Sequence, residues 1–132
     1  MDRSRRLLGN PLLHVLGILI LGLIVYSNTF HVPFVFDDKH EIVQNPVIRN
    51  LGNFFLNSKG YQFNPRRFVA FLTFALNYQW GGLNVSGFHL VNLFIHLLNG
   101  VLVYSLIRAV FRTPFLRSSA LADRAHWISL LT

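Results

Sequence analysis

Between Arg6 and Asp37 the sequence carries no Asp, Glu, Lys or Arg, and residues 11–30 match the roughly 20 apolar residues that cross a hydrocarbon core. A chain with such a stretch has few folds open to it. Composition agrees: 52% of the residues are hydrophobic, 13 are Phe and only 13% are charged, against about 25% in ordinary soluble domains. The sequence therefore predicts an all-α membrane protein. Arg3, Arg5 and Arg6, the apolar core 12–25 and Ser27 also fit a secretory signal peptide, but the run is long for one and a second span follows, so a retained first span is the preferred reading.

The formal net charge of +7 raises the question of nucleic acid. The basic residues lie at the ends of apolar segments and form no cluster interleaved with stacking aromatics, so no nucleic-acid partner is expected. They describe orientation instead. Three precede the first span, five lie in the middle (Lys39, Arg49, Lys59, Arg66, Arg67) and four follow the second apolar region (Arg108, Arg112, Arg117, Arg124). Such residues close to spans mark cytoplasmic flanks, which places 1–10 and 112–125 inside and 31–87 outside. The absence of cysteine excludes a disulfide framework and thiolate metal sites.

The second span is predicted at 88–111, "FHLVNLFIHLLNGVLVYSLIRAVF". A third apolar piece, 68–80, "FVAFLTFALNYQW", is too short to cross and is read as a helix lying at the outer membrane surface, its aromatic rings at headgroup depth. Residues 56–65, "LNSKGYQFNP", read as a loop punctuated by Gly60 and Pro65, and 46–56 as a short helix that Asn45 caps. The final residues, 126–132, begin an apolar segment that reads as the start of an incomplete third span, so the sequence looks truncated. Asn84-Val85-Ser86 matches a glycosylation sequon and is assigned no role.

Three groups of residues could carry chemistry. Of five acidic residues in the chain, three fall in the stretch "FDDKHEIVQNP" just outside the first span. Adjacent carboxylates such as Asp37 and Asp38 call for a cation or hydrogen bonds beside them. They can serve as general base and orienting group or, with His40 and Glu41, as metal ligands, which makes a divalent cation the candidate cofactor. The plainer alternative is a solvated loop that keeps the span from sliding. In the second span His89, Asn92, His96 and Asn99 recur on one helical stripe that must avoid lipid, most simply by bonding to other helices. In the short helix Arg66, Ala70, Thr73 and Asn77 form a stripe of small and polar residues, with Arg66 and Arg67 at the N-terminal end where an anion such as a lipid phosphate is favoured. Nonspecific headgroup binding is the plainer reading of those arginines.

The runs "FVFDDKHEIVQNPVI" and "RRFVAFLTFALNYQWGGLNVSGFHLVNLFIHLLNGVLVYSLI" resemble the amino-terminal part of GT-C superfold membrane glycosyltransferases. The nearest branch is the transmembrane O-mannosyltransferases and their relatives with carboxy-terminal tetratricopeptide repeats. The resemblance implies catalysis by Asp37 or Asp38, and a sugar donor carried on polyprenyl or dolichyl phosphate. Arg66 and Arg67 fall where members often show a basic segment; with Asn77 and His89, taken from the two polar stripes, they are the candidate substrate-binding residues, and the acceptor is a protein or glycan hydroxyl. Arg67 and Phe68 stand where members often have Pro-Leu, which weakens the parallel at that corner. The compartment implied is the bacterial inner membrane with a periplasmic loop, or the endoplasmic reticulum with a luminal one. By the same resemblance the 132-residue chain alone is expected to be inert. The rival readings are a small membrane interaction subunit using the His89 to Asn99 stripe, and a metal sensor built on Asp37, Asp38, His40 and Glu41.

Overall fold

The computed structural model describes residues 10–119 and 121–131; the arginine-bearing residues 1–9 lie outside the described residues. The chain is all-helical, with no strand among the described residues. Its α-helices in order are α1 (Pro11–Tyr26), α2 (Gly52–Phe55), α3 (Lys59–Phe63), α4 (Phe68–Gly81), α5 (Val85–Val110), α6 (Pro114–Arg117) and α7 (Ala125–Leu131). Two of them are long and apolar enough to cross a membrane: α1 with its 3-10 extension to Thr29, and α5. At 1.5 Å per residue the 26 residues of α5 reach about 39 Å, more than a hydrocarbon core of about 30 Å.

Local chemistry explains where these helices begin. Asn10 caps α1, its Oδ1 accepting from the Leu12 amide at 3.0 Å, and Pro11 supplies a preset φ in the first turn. Asn84 does the same for α5 through the Ser86 amide at 3.0 Å. α4 stops at Gly82, whose φ of 58° suits a residue without Cβ and lets its amide bond to the Tyr78 carbonyl at 2.8 Å.

The chain divides into two compact units, one of residues 1–27 and 93–132, the other of residues 28–92. In the first, α1 meets the later part of α5 through glycines. A Cβ at Gly22 would overlap the Leu97 side chain, and one at Gly100 would lie 3.2 Å from Ile18 Cγ2. Small residues allow this close approach between spans. Another face of α1 is bare: Leu12, Leu21, Ile24 and Val25 are each more than 60% exposed, a surface suited to lipid or to further protein. A buried polar cluster lies deeper in this unit. The Tyr104 hydroxyl accepts from the Arg108 guanidinium at 3.3 Å and sits 3.0 Å from His14 Nδ1, with the Trp127 ring of α7 at 6.0 Å from the His14 ring.

The second unit is a small aromatic core. Ile42, Ile48, Phe54, Phe71, Ala75 and Phe88 are buried together, and the 3-10 turn Val47–Arg49 packs across α4. Phe71 and Ile48 have no exposed surface at all. Ring edges meet ring faces at Phe63–Phe71 (5.0 Å between centroids), Phe71–Phe74 (5.9 Å) and Phe34–Phe88 (5.3 Å).

Two expectations change here. The helix read from 68–80 is present as α4, with Phe71 at the centre of a protein core and Trp80 left 83% exposed. The segment 46–56 is not one helix but a 3-10 turn followed by α2, with Asn50 Oδ1 accepting from the Gly52 amide at 2.8 Å between them. The loop 56–65 contains α3, entered through Ser58 in the left-handed region, with Gly60 pressed so close to the Phe54 ring that a Cβ there would overlap it.

Candidate functional site

The acidic pair sits at a sharp change of direction in the second unit. Phe36 is 89% exposed and has φ of 48°, a left-handed conformation that a bulky residue rarely adopts. It turns the chain out of the segment that follows α1 and into a single π-helical turn, Lys39–Val43. Turns of this kind occur often at functional sites.

The backbone bonds of the turn come from nearby sequence. The Asp37 carbonyl accepts from the amides of His40 (3.0 Å) and Glu41 (2.9 Å), and the Lys39 carbonyl accepts from Gln44 (2.8 Å). Asp38 is half-buried, and its Oδ2 accepts from the Val35 amide at 3.3 Å; the Asp37 side chain is exposed. Ile42 anchors the turn in the core. Asn45, 2% exposed, closes it from the far side by donating to the Glu41 carbonyl (3.1 Å) and accepting from the Val47 amide (2.9 Å).

Two arginines tie this turn to α4. Arg49 donates to the Val43 carbonyl at 2.6 Å and to the Tyr78 hydroxyl at 2.9 Å, and its guanidinium lies over the Tyr78 ring. Arg67 pairs with Glu41 at 3.4 Å while lying over the Phe71 ring. Neither Asn45 nor Arg49 was singled out as a site residue from sequence. The Asn-Pro step at 45–46 marks a turn, but the reach of Arg49 to Tyr78 has no local signature.

The remaining predicted site residues divide. Arg66 is exposed and makes no ion pair among the described residues. Asn77 is only 6% exposed, with Nδ2 unpartnered among the described residues and Oδ1 so placed that a Cβ at Gly87 would come within 3.0 Å. Thr73, its neighbour on the predicted polar stripe, donates to the Ala70 carbonyl of its own helix at 2.7 Å. His89 donates from Nε2 to the Val32 carbonyl at 2.9 Å, and Ser86 donates to the Phe30 carbonyl at 3.0 Å. These two bonds fasten the segment leading into the acidic pair against the first turns of α5.

The proposed metal ligands are not assembled. Among the described residues no three His, Asp or Glu side chains converge as a metal site. The reason is visible in the turn: Glu41 faces Arg67, Asp38 faces the Val35 amide, and His40 is exposed.

The structure thus defines a helical protein with two apolar helices able to cross a membrane and a separate folded unit bearing an acidic turn. By sequence the chain is similar to the protein O-mannosyl-transferase Tmtc1 of Drosophila melanogaster, 31% identical over 104 residues that cover 71% of this chain. The chain spans 12% of the length of that curated relative. No protein-family model and no solved structure matches it.

Proposed function

We propose that this chain forms the amino-terminal part of a membrane glycosyltransferase. The donor is a sugar on polyprenyl or dolichyl phosphate, and the acceptor is a hydroxyl, with protein Ser or Thr as the preferred class. The observation that carries the proposal is the acidic pair itself, presented by a strained, heavily tied turn in a chain whose sequence is similar to a protein O-mannosyl-transferase. Both chain flanks are read as cytoplasmic and the second unit as outside, in the periplasm or the lumen of the endoplasmic reticulum.

The chemistry follows from the two carboxylates' different surroundings. Asp37 is exposed and takes the role of general base; Asp38, held by the Val35 amide, orients the acceptor. The acceptor oxygen attacks the anomeric carbon from the face opposite the phosphate, the carbon–oxygen bond to phosphate breaks, and the configuration inverts. The hydroxyl proton passes to Asp37 and the bonding pair leaves with the lipid phosphate. Arg66, exposed at the start of α4, supplies positive charge for the departing phosphate. Asn77 and His89 support this arrangement through packing beside Gly87 and through the bond to Val32.

The test is a transfer assay on the longer protein that contains this segment, reconstituted in liposomes with polyprenyl-phosphate mannose and a Ser/Thr-rich peptide. Mass spectrometry is expected to show single hexose additions that require the lipid-linked donor. No transfer to peptide, glycan or small hydroxyl acceptors from polyprenyl-phosphate mannose or glucose would contradict the proposal and return weight to an interaction subunit working through the His89 to Asn99 stripe.

A further inference from the structure

We infer that the Glu41–Arg67 ion pair is a positioning device that holds the turn carrying Asp37 and Asp38 against α4. In this role neither residue touches substrate; both act through the acidic pair. The inference rests on reading Asp37 and Asp38 as the reacting carboxylates, and it assigns Arg67 a different duty from Arg66.

Four observations converge on it. Glu41 is the backbone hub of the turn, its amide donating to the Asp37 carbonyl at 2.9 Å and its own carbonyl accepting from Asn45 at 3.1 Å. Any displacement of Glu41 therefore displaces Asp37. Its side chain is committed as well: Oε1 meets Arg67 at 3.4 Å, while Oε2 is withdrawn from water and has no hydrogen-bond partner among the described residues. The cation beside Oε1 offsets part of that loss of water. Arg67 is that cation. Its amide donates to Asn64 Oδ1 at 3.2 Å and its guanidinium lies 5.4 Å from the centre of the Phe71 ring, the fully buried centre of the core.

The turn also needs an external tie. It is a single π-helical turn with one buried residue, Ile42, and it follows Phe36 in a conformation unfavourable for a side chain of that size. Arg49 fastens its far end at Val43, beside Tyr78. The near end, where the acidic pair lies, is fastened by Glu41 and Arg67. Because the Arg67 and Glu41 side chains are 50% and 30% exposed, the pair adds little to global stability, so variants are expected to stay folded.

The test uses Glu41→Gln, Arg67→Gln and Arg67→Lys. In nanodiscs, hydrogen exchange of this chain should show the His40, Glu41 and Gln44 amides opening about tenfold faster in both Gln variants, with residues 71–78 unchanged. In the longer protein both Gln variants should lose about tenfold in kcat with KM for the lipid donor within about twofold, and Arg67→Lys, which keeps the charge, should recover most of the loss. Unchanged exchange in 37–44 overturns the inference. So does a raised donor KM in Arg67→Gln alone, since that would make Arg67 a phosphate ligand. The predicted exchange pattern in a protein that transfers no sugar would keep the tie and remove the transferase reading instead.

Discussion

At the residue scale, the second unit is held by a buried aromatic core and by the distant pairs Arg49–Tyr78 and Glu41–Arg67. Phe71 has no exposed surface and packs edge-on to Phe63 and Phe74. Phe71→Ala is expected to destabilise the unit by about 3–5 kcal/mol, read by denaturant unfolding in detergent monitored through near-ultraviolet circular dichroism. Trp80→Ala, at an 83% exposed position of the same helix, should stay within about 0.5 kcal/mol. Gly60→Ala drives a Cβ into the buried Phe54 ring and is expected to cost about 1–3 kcal/mol in the same measurement. The acidic pair was legible in the sequence because it is a local feature. The engagement of Arg67 by Glu41 was not, since nothing near either residue marks its partner. Asp37, Asp38, His40 and Glu41 are close in sequence, yet among the described residues no three such side chains converge, because closeness in sequence does not by itself bring side chains together.

At the element scale, the apolar helices were the easiest to read and the short ones the hardest. Residues 11–30 and 88–111 carry their own signal in length and hydropathy, and the structure has α1 to Tyr26 with a 3-10 turn to Thr29, and α5 from Val85 to Val110. α3 has no such signal. Its five residues contain a glycine and show no apolar period, and it exists because Gly60 lies on Phe54, a tertiary contact that overrides weak propensity. The α1–α5 contact is open to a direct check, because the chain has no cysteine of its own. Ile18→Cys with Gly100→Cys should form an intramolecular disulfide under mild oxidation, the Gly100 Cβ position being 3.2 Å from Ile18 Cγ2. Adding Gly22→Leu, which collides with Leu97, should abolish it; efficient crosslinking in that triple variant would show that the glycine contact does not set the helix spacing.

At the scale of the whole molecule, two helices are long and apolar enough to cross a membrane, and residues 28–92 form a unit built on buried aromatic rings. Topology can be mapped with introduced thiols. Asn57→Cys should react with a membrane-impermeant maleimide added to intact vesicles of native orientation, and Arg117→Cys only after permeabilisation. Equal labelling of both would contradict the orientation read from the basic residues. The most direct test of the central claim concerns the acidic pair. Asp37→Asn and Asp38→Asn are compared with the unaltered residues in the longer protein, under single turnover, with a radiolabelled polyprenyl-phosphate mannose donor at saturation. Loss of the general base is expected to slow transfer by about 10²–10⁴-fold in Asp37→Asn, with donor affinity nearly unchanged and a smaller loss in Asp38→Asn. Full transfer rates in both variants would show that these carboxylates do not carry the reaction.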